Sequence, residues 1–468
     1  MRRILSLILA AIMLFSLVSC SSSLEAEKTV EKATAAEEAK EQKNQGTEKK
    51  EDAKPAILPE NYPEGFTVGF ARTTVNPPSG TGLGGYGDHM SRLSKTILDD
   101  LMLTCTAICD GESVALLFST DLVGIGGGVV NYVQKIIERD FKIPAENVII
   151  NATHSHSTPA FYNSNVTGMS KYAKIYYEAV LDLVNEALYD LTPATVAYGQ
   201  AETHDLSYVR RYVNKITGEY LGKNLSAGQD PNVVAHESEE DEVLQVIRFE
   251  REGDKKDVVL VNWQCHPTAP GGEGDTRVSA DYISTVRIQA EADYNVLISY
   301  HQGAAGNLAQ TGYLAGDRNN SADYLGQGKE IAAVVGEALQ NTTPVQGGKI
   351  EAVKTTYQGT YKEAILSGKQ TKAYGTDIPL YTITCGDLAF CSIPGELHDS
   401  LGKNLREASP YKATFLCGYS NGMNGYIPAS FAFPNGGYEV DQTHYVVGTG
   451  EALIQTHLDI LNARKAAN

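Results

Sequence analysis

The stretch "NVIINATHSHSTPA" (147–160) decides how the chain is read. A short apolar run, Val148 to Ile150, ends in Asn-Ala-Thr and then presents two histidines two positions apart, His154 and His156. A brief continuous apolar run closed by polar residues is the signature of a strand buried on both faces. The histidines then stand at its carboxyl end. In an extended segment, positions i and i+2 point the same way, so both rings can serve one centre, or one of them can simply bond a neighbouring carbonyl.

Working outward, strand and helix alternate. "SVALLFST" (113–120) reads as a strand and "GVVNYVQKIIERDF" (128–141) as a helix with apolar residues three and four apart. "MSKYAKIYYEAVLDLVNEALYDL" (169–191) reads as a helix and "DVVLVNW" (257–263) as a strand, while "SADYISTVRIQAEADY" (279–294) is a helix opened by a Ser/Asp cap. "VLISY" (296–300), "LAFCSI" (388–393) and "ATFLCGY" (413–419) complete the strands. The alternation predicts an α/β fold: one large domain with a mixed β-sheet flanked by helices, and a cleft at the strand carboxyl ends. His266 follows the strand at 257–263 and Glu396 the strand at 388–393, the same relative place that His154 and His156 occupy. His, His and Glu form a ligand set known for catalytic zinc, with a coordination position left open. Their shared strand-end placement raises all three above the ordinary readings: a carbonyl-bonded histidine, a histidine ending a strand before proline, an acid at a helix start.

Competing motifs fail on context. "GYSNG" (418–422) matches the nucleophile elbow G-x-S-x-G, but "MNGYIPASFAFPNGGY" follows where a helix is required, which argues against Ser420 as nucleophile. "GTGLGG" (80–85) follows no strand, and "GIGGGV" (124–129) has Val129 at its third glycine position, so neither supports a dinucleotide site.

At 468 residues, 42% hydrophobic and with a formal net charge of −18, the chain is globular and a poor partner for nucleic acid. Arg2 and Arg3, the apolar run Ile4 to Leu17 and "LVSC" ending at Cys20 read as an export signal (1–20) that resembles a bacterial lipobox. This predicts lipidation of Cys20, with the protein exported and lipid-anchored to the bacterial cell or outer membrane on its extracytoplasmic side. Residues 21–65 are expected to be a disordered tether, since the Glu/Lys/Ala/Gln-rich stretch to Lys54 cannot bury enough apolar surface to order itself. The folded domain is expected over 66–468. Cys105, Cys109, Cys265, Cys385, Cys391 and Cys417 form no CxxC pair and read as buried thiols, with a Cys385–Cys391 disulfide as the alternative in an exported chain.

The blocks "VGFARTTVNPP" with "GGYGD", then "NATHSHSTPA", "NWQCHPT", "VSADYIS", "HQGAAGN", "SIPGELHDSLGKNLRE" and "GYSNGMNGYIP" occur in the order seen in the N-terminal zinc amidase domain of the neutral/alkaline non-lysosomal ceramidases, which the chain resembles over about residues 66 to 455. The resemblance implies a Zn2+ ion held by His154, His266, Glu396 and Tyr426, with His156 lining the site. It also implies hydrolysis of an N-acyl amide by metal-bound water. Arg210 of "YVRRY" matches a substrate-contacting arginine, with Arg211 beside it as the alternative. His156 or Tyr426 would donate to the oxyanion, and Asp281 or Asp121 would orient a ligand histidine. Where the ceramidases have a serine that contacts the substrate, this chain has Ala309 in "GNLAQ", and it ends without their C-terminal β-sandwich domain. The expected partner is a small-molecule or lipid amide. The alternatives are a zinc esterase or deacylase on a non-sphingolipid substrate, or a ligand-binding surface lipoprotein without catalysis.

Overall fold

Three strand–helix–strand units carry the architecture of the computed structural model, which describes residues 56–86, 92–162, 167–223, 233–361 and 375–467. In chain order the main elements begin with β1 (Thr67–Thr74), β2 (Met102–Cys109), β3 (Val114–Thr120), α1 (Gly127–Phe141), β4 (Val148–Ala152), α2 (Met169–Tyr189) and β5 (Thr192–Glu202). They continue with β6 (Val243–Arg251), β7 (Val258–Trp263), α3 (Tyr282–Tyr294), β8 (Leu297–Gln302), α4 (Tyr324–Gln340), β9 (Thr343–Val345), β10 (Ile350–Thr360) and β11 (Gly375–Cys385). The last are β12 (Leu388–Ser392), β13 (Glu396–Leu397), α5 (Asp399–Ala408), β14 (Ala413–Cys417), β15 (Tyr426–Ile427), α6 (Tyr438–Gln442) and α7 (Thr449–Ala467).

The large mixed sheet has nine strands in the order β8-β7-β6-β5-β1-β2-β3-β4, with β9 alongside β5. Its parallel pairs are β3 with β4 and β7 with β8, the pairs whose strands are bridged by α1 and α3. A second sheet, β10-β11-β12-β14, holds the third parallel pair, β12 with β14, bridged by α5. Sequence reading contains no such second layer, because strand alternation does not reveal which sheet a strand joins.

β3 explains why its sequence is apolar throughout. Leu116 and Phe118 face a cluster with Val130, Val133 and Ile137 of α1 and Val180, Leu183 and Val184 of α2. Ala115 and Leu117 face the second sheet, joining Ile383, Phe390 and Phe415. α3 and α4 cover the other half of the large sheet through Ile283, Val286, Ile331 and Val335. α5 and α7 cover the second sheet through Leu401, Leu405, Leu453 and Leu461. The layers therefore run helix, sheet, sheet, helix.

The nine-stranded sheet curls until its two ends meet. The Asn151 side chain of β4 donates to the Gln302 carbonyl of β8 at 3.2 Å and accepts from the Gln302 amide at 2.7 Å. Thr104 of β2 and Ser299 of β8 join hydroxyls at 2.9 Å. This closure sets the carboxyl end of β4 beside that of β7, so His154 and His266 come together across 112 residues of chain.

Ile57 and Tyr62, N-terminal to the expected domain start at Phe66, already pack against the α1–α2 cluster. Cys20, the export signal and the tether up to Pro55 lie outside the described residues. The other six cysteines are buried free thiols, so Cys385 and Cys391 are not paired. Among the described residues no helix is long and apolar enough to cross a membrane.

Candidate active site

Past β4 the chain turns rather than continuing extended. The Thr153 and His154 amides donate to the Thr120 and Leu122 carbonyls at 2.9 and 2.8 Å, and His154 adopts φ 69°. A left-handed residue with a bulky side chain costs on the order of 1–3 kcal/mol and persists only where its surroundings hold it. Here the His154 ring stacks on Tyr419 at 4.0 Å and 23°. The His156 amide donates to the Pro267 carbonyl at 3.0 Å, tying the loop after β4 to the loop after β7. Gly85, at φ 99°, passes so close that a Cβ would stand 2.4 Å from the His156 ring. The expectation that the two rings share a direction because the segment is extended is thus corrected: the turn at His154, not strand alternation, aims them.

Three imidazoles meet nearly edge to face, with centroids 4.6 to 5.0 Å apart. His154 Nε2 lies 3.0 Å from His266 Nε2 and 3.3 Å from His156 Nε2. Glu396 Oε2 lies 3.4 Å from His154 Nε2 and 3.5 Å from His266 Nε2, and has no hydrogen-bond partner among the described residues. The protonation of these rings follows from their other nitrogens. His154 Nδ1 faces the Val123 carbonyl and His266 Nδ1 the Ala305 carbonyl at 2.9 Å. A carbonyl only accepts, so each Nδ1 carries the proton, and in a neutral imidazole Nε2 then offers a lone pair. Burial, reinforced by Arg210 and the neighbouring histidines, pushes the His266 imidazole well below its usual value. Burial acts the same way on His156, with His154 and Arg210 adding to it. Lone pairs that face one another in a buried site repel unless a cation lies among them.

The separations fit such a cation. Ligand bonds of about 2.0–2.1 Å in a tetrahedron put neighbouring donor atoms about 3.3 Å apart. His154, His266 and Glu396 show mutual separations of 3.0, 3.4 and 3.5 Å. His154, His156 and His266 form a grouping of their own, with ligand nitrogens all within 4.8 Å of one another. A second grouping, Glu202, His204 and Glu242, is largely exposed and held by an ordinary ion pair from His204 to Glu242 at 3.0 Å.

The opposite wall is built on β13 and β15, whose parallel pairing sets Glu396 directly against Tyr426. Gly306 is needed beneath this ribbon, since a Cβ there would stand 2.4 Å from the Glu396 carbonyl oxygen. The Tyr426 hydroxyl accepts from Arg210 Nη2 at 3.1 Å, and the same Nη2 donates to the Gly306 carbonyl at 2.8 Å. Burial pushes the Tyr426 phenol well above its usual value, with Glu396 adding to the effect and Arg210 opposing it. Arg210 Nε donates to Glu439 Oε1 at 2.8 Å, and Arg211 Nη1 to Glu439 Oε2 at 2.9 Å. Arg210 is thus the arginine at the site, while Arg211 turns away to Glu237 and the Gly436 carbonyl.

Other residues named from sequence fall elsewhere. Neither Asp121 nor Asp281 orients a ligand histidine, since the Val123 and Ala305 carbonyls occupy both Nδ1 positions. Asp121 binds Arg287, Thr153 and the Met102 amide, and Asp281 caps α3 and accepts from Gln310 at 3.0 Å. Ser420 is buried, accepting from Asn151 at 2.9 Å and donating to the Gly418 carbonyl at 3.0 Å, with no histidine on it. Ala309 pairs with Tyr208 in a two-stranded ribbon. Sequence reasoning missed Tyr419, which lies inside the motif weighed only for Ser420. It also missed Glu439, which no local pattern marks.

No protein-family model matches the sequence, and no curated protein matches it. The fold is shared with solved structures. A ceramidase complexed with C2 superposes with a TM-score of 0.70 at 16% identity, covering 86% of this chain and 76% of that one. The neutral ceramidase of Pseudomonas aeruginosa superposes with a TM-score of 0.69 at 17% identity, covering 86% of this chain and 75% of that one. Identity this low establishes the fold.

Proposed function

We propose that the chain is a zinc-dependent hydrolase of N-acyl amides. The observation that carries this reading is the convergence of His154 Nε2, His266 Nε2 and Glu396 Oε2, three buried acceptors 3.0 to 3.5 Å apart with no proton between the two nitrogens. These three residues would hold the ion, with Tyr426 at a fourth position. A zinc ion so held would polarise an acyl carbonyl and lower the pKa of water to about 7.

The chain's own groups do the rest. The Tyr426 hydroxyl accepts from Arg210, which leaves its proton to donate to the oxygen on which charge develops. Arg210, held in its charged form by Glu439 against the cost of burial, polarises that hydroxyl. His156 Nδ1 has no partner among the described residues, so its ring can take a proton on one nitrogen and deliver it from the other to a departing amine. The two neighbours that share the fold are a ceramidase and a neutral ceramidase by name, which supports an amide of a lipid kind as substrate. Attachment to a membrane through a lipid on Cys20 belongs to the same proposal.

The test is hydrolysis of a panel of N-acyl amides and matched esters by protein loaded with zinc and by the same protein after chelation. Release of fatty acid from amides by the loaded form alone supports the reading. Cleavage of esters only would favour the esterase, and no cleavage with tight binding of an acyl ligand would favour a capture protein.

A further inference from the structure

The cations around the cleft are not all matched by carboxylates. Arg210 and Arg211 share Glu439, and Arg211 also pairs with Glu237. Lys223 is different. Its ammonium lies 3.9 Å from the centre of the Tyr438 ring and, among the described residues, makes no ion pair or hydrogen bond. That ring is part of the site: it packs edge-on against Tyr426 at 5.5 Å, and Arg210 lies 5.6 Å from its centre. Tyr438 is 39% exposed whereas Tyr426 is 8% exposed, so Lys223 stands where the cleft opens to solvent.

Among the described residues the two acids in its electrostatic reach are Glu439, which is shared by the two arginines, and Glu396, which faces His154 and His266 across the proposed ion site. Arg92 adds to the surplus from the other side. It is 1% exposed, and among the described residues its guanidinium donates to the carbonyls of Asp275 at 3.0 Å, Gly84 at 2.6 Å and His156 at 3.0 Å, while the Asp275 carboxylate within its electrostatic reach is already paired with Arg277 at 2.6 Å. Carbonyls satisfy its hydrogens without neutralising its charge. In a chain of net charge −18, whose average field repels anions, a local excess of positive charge at one cleft selects for them.

Resting on the amidase reading above, we propose that the substrate carries an anionic group, a carboxylate or a phosphate, near its amide, and that the Lys223 ammonium at the cleft mouth binds it. The held ion and Tyr426 would address the amide, while Tyr438 separates the ammonium from the reacting centre by the width of one ring. Partial burial, followed by the Arg210 charge, holds the Lys223 amine down to about 8, the behaviour of an ammonium without its counter-ion. An anion seated there would restore the charged form. A neutral ceramide offers Lys223 no such partner.

The experiment uses matched pairs: N-dodecanoylglycine against its amide, N-dodecanoylglycinamide, and N-dodecanoylethanolamine phosphate against N-dodecanoylethanolamine. With zinc-loaded protein, kcat/KM and the calorimetric Kd are measured for each, in wild type, Lys223→Met and Lys223→Arg. The wild type should favour at least one anion over its neutral partner by about tenfold or more, and the preference should weaken with salt. Lys223→Met should collapse the ratio toward one and Lys223→Arg should restore most of it. Which pair shows the preference distinguishes carboxylate from phosphate. Ratios near one in the wild type by both measurements, or a preference that survives in Lys223→Met, overturn the proposal. Hydrolysis of all four without preference removes the anion site and leaves the amidase reading standing. Selective binding without hydrolysis does the reverse.

Discussion

Around Tyr426 two buried clusters of ionisable groups lie side by side and solve the problem of burial in opposite ways. Arg210, Arg211, Glu237 and Glu439 pair off within the chain, with contacts of 2.8 and 2.9 Å to Glu439. Nothing outside is needed. His154, His266 and Glu396 instead turn acceptors toward one another and leave Glu396 Oε2 without a donor. His457 shows what a buried histidine looks like when it only builds structure: Nδ1 meets the Thr382 hydroxyl at 2.8 Å and Nε2 the Ser392 carbonyl at 3.0 Å. The arginine cluster balances its charges within the chain and holds Arg210 against Tyr426, whereas the histidine cluster turns acceptors toward one another.

Removing a member of the histidine cluster tests that contrast hardest. His266→Ala or Glu396→Ala should abolish amide hydrolysis to background, a loss well beyond the ~10–100-fold seen when groups behind a ligand are removed. In chelator, the urea midpoint of Glu396→Ala should stay at or above that of wild type, because the substitution removes a carboxylate oxygen that faces imidazole lone pairs without a donor. A large loss of stability in metal-free Glu396→Ala would mean that the cluster is structural. Next in size, Tyr426→Phe should lower kcat by about 10²-fold, the usual cost of losing one oxyanion donor, with much less effect on metal content than the two alanine variants. Zinc loss equal to that of Glu396→Ala would contradict the role of the hydroxyl as donor.

Glu439→Gln probes the arginine cluster. It leaves Arg210 and Arg211 facing a neutral amide in a fully buried position, and should cost about 3–5 kcal/mol in denaturant titrations. Hydrolysis should fall about tenfold through the loss of Arg210 positioning. The acid limb gives a second readout. Burial alone would raise the Glu439 carboxyl, but Arg210 and the other cations hold it down to about 2, from 4.5 unfolded. A depressed acid contributes its full stability above the unfolded value and loses it as pH falls through the folded one. Wild-type stability should therefore decline between about pH 4.5 and 2, and Glu439→Gln should show a shallower decline. Parallel acid limbs in the two proteins would rule out this carboxylate as the source. Smallest of all, Ser420→Ala should leave kcat within about threefold and cost about 1 kcal/mol for its two hydrogen bonds. A collapse of turnover would reinstate the nucleophile elbow.

Much of the site was legible because each proposed ligand ends a local pattern. The run Val148–Ala152, the run Val258–Trp263 and the run Leu388–Ser392 are each readable over a handful of residues, and each is followed within four positions by His154, His266 or Glu396. What stayed hidden is long-range. No periodicity shows that β12 and β14 form a second sheet or that the first sheet curls until Asn151 reaches Gln302. Glu439 and Lys223 carry no motif, and their importance appears only once α6 is folded against β15. No aspartate orients His154 or His266, because the Val123 and Ala305 carbonyls, distant in sequence, occupy their Nδ1 positions.

If His154, His266 and Glu396 together hold one divalent ion, the metal content of protein purified without chelator, read by mass spectrometry, must depend on all three. About one zinc per chain in the wild type is predicted, falling toward zero in His154→Ala, His266→Ala and Glu396→Ala. Wild-type protein that stays metal-free after incubation with zinc, or a stoichiometry that all three substitutions leave unchanged, would contradict it.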